Sequence, residues 1–216
     1  STMENLASSL EEDEERVFDI KNVGYRCYLE TQSERGKAEI QFLLGEALYY
    51  GLFGFEENEQ EAAKWIIKAS TNGNAEAQFL LYSWYYAGLC GFEEDEPKAL
   101  ETLKAAANNG FANAQQELGD WYKHGTVVEE DPKEASKLYK LASDGGSDEA
   151  TVDLAICYSD GYGVPQNEKT AFKLLDTAAN NGCVRAKRLL GVYHFNAIGT
   201  EEDVNKALKY WHEAAE

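Results

Sequence analysis

The sequence predicts an all-α solenoid, five stacked helix-turn-helix units behind an N-terminal capping helix, within 216 residues. Three observations predict it. Glycines recur at 36, 73, 110, 146 and 182, and a fixed period of that length marks a helical-repeat architecture. Within each period, small and bulky apolar residues return every three or four positions, the stripe of an amphipathic helix. Only three prolines occur against many Ala, Leu, Glu and Lys, so little interrupts a helix.

Taken in order, residues 1–15 form an acidic tail that the composition predicts to be disordered. Residues 16–35 are expected to be a capping helix. Tyr28 and Leu29 suit its bulky positions, but Tyr25 and Gln32 stand where a sixth unit would need Ala. Such a helix covers the apolar end of the first unit. The five units span 36–72, 73–109, 110–145, 146–181 and 182–216.

The first helix of each unit, helix A, carries Leu44, Leu81, Leu118, Leu154 and Leu190 eight residues after the boundary glycine. Seven residues further stand Gly51, Gly88, Gly125 and Gly161, with Ala197 as the departure. Helix B carries two Ala columns, from Ala62 to Ala207 and from Ala69 to Ala214, around a bulky column of Ile66, Leu103, Tyr139, Leu175 and Trp211. Small residues let helices approach and the bulky one fills the space between them. Four residues before the first Ala column stand Asn58, Asp95, Asp131, Asn167 and Asp203. All are side chains that satisfy free amides at a helix start. Pro132 follows one of them at the favoured first position, and each boundary glycine suits a left-handed helix end.

The stretch from Ala150 to Gly182, with Tyr158, Gly161, Gly163, Val164, Asn167, Ala171, Ala178 and Ala179, resembles the Sel-one-like repeat (SLR) family, relatives of the tetratricopeptide repeat. Leu118, Gly119, Tyr122 and Gly125 carry the likeness in the third unit, while Tyr82 and Ala155 depart from the helix-A glycine. The resemblance covers residues 36–216. It implies a right-handed α-α superhelix whose A helices line the concave face, and a non-enzymatic scaffold that binds proteins.

The formal net charge is −19, from 20 Lys and Arg against 39 Asp and Glu. That excludes nucleic acid, which needs clustered cations, and an anionic membrane surface. The expected partner is a protein or peptide, basic or neutral. The charge is not uniform. Residues 4–15 and segments 56–61, 93–96, 129–131 and 201–203 hold 20 of the 39 acids and no Lys or Arg. The last four fall at helix-B starts, where negative charge meets the positive helix end. Cys27, Cys90, Cys157 and Cys183 show no paired spacing, so free thiols in a reducing compartment are expected. Cytoplasm is the expected location, with export behind a removed leader as the alternative. No membrane span is expected, and the oligomeric state is open.

Nothing in the sequence reads as catalytic, cofactor-binding or metal-binding. His124, His194 and His212 lack ligand spacing with a Cys or another His, and His212-Glu213 lacks the HExxH frame. Gly161-Tyr162-Gly163 follows no strand and precedes no Lys-Ser/Thr, so it is an inter-helix loop rather than a phosphate loop. The acidic runs lack the alternating ligands and turn glycine of a calcium loop.

If the A helices form the concave face, positions 6, 10 and 13 after each boundary glycine point into it. Those columns nominate Phe42, Glu46, Tyr49, Phe79, Tyr86, Asp120 and Lys123 as partner-binding residues. The rings in the first two units, with Glu46 among them, have the amphipathic chemistry of binding hot spots. Trp84 and Trp121, two positions earlier, are expected in the core. The leading reading is an adaptor that binds a protein or peptide segment in its groove. The alternative is an inhibitor or immunity protein that neutralises a basic partner such as a toxin, since the charge speeds capture of a cation. A cysteine hydrolase built on Cys157 or Cys183 is the weakest reading.

Overall fold

The computed structural model describes residues 24–215; the acidic tail and the start of the capping segment lie outside them. All regular structure in the described residues is helical. The chain divides into two compact units, the boundary in the sequence falling between Thr102 and Leu103. The first holds α1 (24–33), α2 (Ala38–Tyr50), α3 (Glu59–Thr71), α4 (Ala75–Ala87) and the first half of α5 (Glu96–Asn108). The second holds the rest of α5, α6 (Ala112–His124), α7 (Pro132–Asp144), α8 (Asp148–Asp160), α9 (Glu168–Asn180), α10 (Val184–Asn196) and α11 (Val204–Glu213). Even-numbered helices are A helices and the odd-numbered from α3 onward are B helices.

Both ends of each hairpin follow from local chemistry. Asn58, Asp95, Asp131, Asn167 and Asp203 accept a backbone N–H from the first turn of α3, α5, α7, α9 and α11, at 2.9–3.1 Å. Their own N–H groups donate to carbonyls near the ends of the preceding A helices: Leu48, Tyr85, Tyr122, Tyr158 and His194, at 2.7–2.9 Å. This clasp closes the loop five times. It spans ten residues in the first two hairpins and nine in the others, which is why the glycine spacing shortens from 37 to 36. The additional residue is absorbed by left-handed backbone at Phe53-Gly54 and Cys90-Gly91.

Helices A end on a left-handed residue, Gly51, Gly88, Gly125 and Gly161, whose N–H caps the last turn. In α10 that residue is Ala197, at φ 56°. An L-residue there costs about 1–2 kcal/mol. Ala197→Gly is therefore expected to stabilise the protein by about 1 kcal/mol and raise Tm by about 2–4 °C in a circular-dichroism melt; an unchanged or lower Tm would show that the strain is relieved elsewhere.

The columns of the sequence meet as helix-on-helix packing. A Cβ on Gly45 of α2 would lie 2.5 Å from Ile66 Cδ1, and one on Gly119 of α6 2.8 Å from Tyr139 Cε1. Gly191 of α10 leaves the same room for the Trp211 indole. Glycine on helix A is thus the socket for the bulky residue of helix B. The Ala columns are fully buried from Ala62 to Ala207 at the first position and from Ala69 to Ala178 at the second.

A second column joins α1 to α2, α3 to α4 and α5 to α6. Gln41, Gln78 and Gln115 each donate from Nε2 to a backbone carbonyl eight residues earlier, Ser33, Ser70 and Ala107, at 3.0 Å. These side chains satisfy carbonyls that a helix end leaves open. The bond from Gln41 to Ser33 sets α1 where the helix B of a preceding unit would stand. Leu29 of α1 is buried with Leu44, Ala47, Leu48, Phe55 and Ala62. Tyr28 is not a core residue: it is 53% exposed, as is Tyr25 at 55%.

Candidate docking surface on the A helices

In the first unit, α2 and α4 carry an aromatic face. Trp84 is buried, and Tyr49 packs against it with ring centroids 5.7 Å apart. Phe79, Tyr82 and Tyr86 follow one another along α4, with centroid separations of 5.4 and 5.9 Å. Tyr82 is buried, Phe79 half-buried and Tyr86 41% exposed. The i, i+3, i+7 spacing puts three rings on one side of one helix, and only the last stands open to solvent.

Phe42 requires a correction. It is buried in the core with Ala63, Ile66, Ala69, Ala77, Leu81 and Trp84 and presents no surface to a partner. Its column reaches the interior because α4 offers Leu81 and Trp84 opposite it. Trp84 and Trp121 are in the core, at 1% and 4% exposure.

Glu46 is half-buried on α2. Burial raises its carboxyl above the usual carboxylate range, and the neighbouring Glu76 of α4 raises it further. Neither carboxylate has an ion pair among the described residues. Tyr49 is raised as well, chiefly by the Cys90 thiol and the hydrogen bond between them. Two unmatched acids beside a row of rings are an electrostatic arrangement that a cation would relieve.

In the second unit, Asp120 is already engaged, accepting a hydrogen bond from Tyr139 Oη at 2.6 Å. The backbone carbonyl of Lys123 accepts from Tyr162 Oη at 3.1 Å. Both residues are half-buried on α6, which uses them to hold a helix-B tyrosine and a loop tyrosine in place. What the sequence columns missed is a polar chain across α6, α8 and α10. Asp153, 4% exposed, accepts from Gln116 Nε2 at 2.9 Å and from Arg185 at 2.6 Å. Arg185 also reaches Glu149 at 3.3 Å. The signal in the sequence is an acid inside the apolar run Thr151–Cys157.

Three of the four thiols, Cys90, Cys157 and Cys183, are not poised as nucleophiles. All four are free. Burial pushes Cys157 up to about 11, and Cys90 and Cys183 are also raised, burial again the first cause. A thiol held that high has almost no thiolate at neutral pH. Among the described residues, no helix is long and apolar enough to cross a membrane.

Socketed helix pairs at a 36–37-residue period, each clasped by an Asp or Asn, define an all-α protein of the helical-repeat solenoid class. The Sel1 repeat pattern matches residues 38–74, 75–111, 112–147, 148–183 and 184–216, and the chain belongs to the Sel1 repeat family. A Sel1 repeat protein from Oxalobacter formigenes is 28% identical over 88% of this chain and 77% of its own, with TM-score 0.80. The protective antigen c5321 of uropathogenic Escherichia coli strains, which displays an SLR fold, is 27% identical over 87% of this chain, with TM-score 0.79; this chain spans 40% of it. Immunity protein Pa5087 from Pseudomonas aeruginosa, 19% identical over 82% of this chain and 64% of its own with TM-score 0.52, shares the fold alone. No curated protein matches the sequence. Sel1 repeat proteins generally mediate protein–protein interaction, on scaffolds that are generally non-catalytic.

Proposed function

We propose that this chain is a non-enzymatic adaptor of a reducing compartment, the cytoplasm, whose A helices hold a segment of a protein partner. The observation that carries this reading is the aromatic row Phe79, Tyr82 and Tyr86 on α4, together with the unmatched and mutually repelling Glu46 of α2 and Glu76 of α4. One exposed tyrosine at the end of a packed aromatic row and a partly desolvated carboxylate are hot-spot chemistry for a basic side chain. Asp120 and Lys123, in the second unit, are proposed contacts of their own on α6. Phe42 is the floor beneath it.

Glu46 works against stability. Its pKa is raised on folding, so its ionised form costs the folded state free energy at neutral pH and that cost disappears as pH falls through the raised value. Glu46→Gln is expected to stabilise the protein at pH 7 by less than about 1 kcal/mol, solvent keeping the effect small, with the gain vanishing toward pH 4. The same substitution combined with Tyr86→Ala is expected to abolish partner capture from a lysate of the source organism while leaving helicity intact. Capture that survives both changes would remove this face from the reading. Salt-sensitive capture points to the carboxylates and salt-resistant capture to the rings.

The second reading, an inhibitor or immunity protein against a basic partner, draws on the net charge of −19 and on the exposed acidic segments at 56–59, 93–96, 129–131 and 201–203. The existence of an immunity protein with this fold is compatible with it. Protection of cells from a co-encoded toxin separates it from the adaptor.

A further inference from the structure

The second unit carries a cleft of opposite character. Ile156 of α8, Leu189 and Val192 of α10 and Trp211 of α11 wall a pocket of about 290 Å³, with Arg185 and Arg188 at its rim. The walls are apolar. Arg185 is held in place by Asp153 and Glu149, so its charge is matched. Arg188 is exposed on the next turn and has no ion pair among the described residues. The chain has five arginines, three of them before residue 36; these two are the remainder. A protein of net charge −19 therefore places an unmatched guanidinium at the mouth of an apolar cleft.

Trp211 is half-buried against Gly191, and its Nε1 donates to the Arg188 backbone carbonyl at 3.2 Å. That bond locks the indole as a wall and ties it to the residue carrying the free cation. Phe195, 49% exposed, lies against Trp211 with centroids 5.8 Å apart. With Val192 also exposed, the apolar surface continues along α10 beyond the cleft to Phe195.

We propose that this cleft docks an internal acidic–apolar segment of a partner protein, with a bulky aliphatic side chain between Ile156, Val192 and Trp211 and the neighbouring Glu or Asp side chain on Arg188. Charge complementarity selects that occupant. Arginine pairs with a carboxylate through two parallel N–H donors, and a basic segment meets an unmatched cation instead. The site is built from α8, α10 and α11 alone and shares no residue with the α2–α4 face.

The probe is a fluorescein-labelled, C-terminally amidated peptide, Gly-Ser-Gly-Glu-Leu-Gly-Ser, titrated into the full chain by fluorescence anisotropy and by 1H–15N correlation spectra. A dissociation constant on the order of 100 μM is expected for so small a contact, with the Trp211 indole N–H, assigned through Trp211→Phe, among the signals that move. Arg188→Glu is expected to weaken binding at least about tenfold and to bind the Lys-Leu version of the peptide better than the wild type does. That exchange distinguishes lost charge from lost fold. Absence of binding at 1 mM overturns the proposal. So does equal binding of the Gln-Leu peptide, indifference to Arg188→Glu, preference of the wild type for the Lys-Leu peptide, or binding only when the peptide ends in a free carboxylate at Leu.

Discussion

Gly163→Ala is expected to cost about 3–4 kcal/mol, a large share of the stability of a domain of this kind. Gly163 lies in the loop after α8 at φ +73°, and a Cβ there would overlap the Pro132 carbonyl and approach Ser136 Oγ to 2.7 Å. The loop of one hairpin thus rests on the first turn of the preceding helix B, backbone against backbone. Left-handed alanine costs about 1–2 kcal/mol, and displacing a packed helix start costs about 1–3 kcal/mol more. Gly146 separates the two terms. It has φ +94° but nothing within 4 Å of a Cβ, so Gly146→Ala is expected to cost only the conformational part. Urea unfolding at 25 °C compares the two; equal losses would mean that the loop moves aside freely and the close approach is not a constraint.

That contrast also marks how far the sequence could be read. The repeat columns were legible because each has one physical task. Asp or Asn starts a helix, glycine turns it, and small and bulky residues interlock, so five copies repeat the same answer. The clasp from each Asp or Asn to the preceding A helix accounts for a 36-to-37 difference that the columns show without explaining. The glutamine column is periodic only through the first three units, at Gln41, Gln78 and Gln115, giving way to Thr151 and Lys187, and glutamine is a weak signal until its carbonyl partner is seen.

The docking face was less legible. A column fixes the direction in which a side chain leaves its own helix, not what stands opposite. Phe42 and Phe79 occupy the same column, yet Phe42 meets Leu81 and Trp84 and is buried whereas Phe79 is half-buried. Tyr28 looked like a core ring by spacing and is exposed because α1 offers only Leu29 and Ser33 to the interior. Arg188 lay in the partner-facing column, but its meaning depends on Trp211, 23 residues away, and on the carboxylates that match Arg185 and leave Arg188 free.

The largest departure from the repeat pattern supplies the second large expected effect. Asp153 occupies a column otherwise filled by Leu43, Leu80, Glu117 and Leu189, and Arg185 one filled by Glu39, Glu76, Asn113 and Glu149. Neither residue is required by the repeat, and each is tolerable only with the other. Removing the cation leaves a buried carboxylate with a single amide donor, Gln116. Removing the carboxylate leaves an arginine that is 38% exposed and still meets Glu149. The asymmetry decides the outcome. Arg185→Ala is expected to cost about 3–5 kcal/mol, since an uncompensated buried charge carries the full desolvation penalty. Asp153→Ala is expected to cost about 1–2 kcal/mol, mostly lost hydrogen bonds. Asp153→Leu with Arg185→Leu restores the apolar character that the Leu43, Leu80 and Leu189 positions have, and the pair of changes is expected to cost less than Arg185→Ala alone. A double-mutant cycle read by urea unfolding at pH 7 measures the coupling, expected near 2 kcal/mol. Additive losses, or a costlier Asp153→Ala, would mean that water reaches Asp153 and that the chain of polar contacts across α6, α8 and α10 is not what holds these A helices in register.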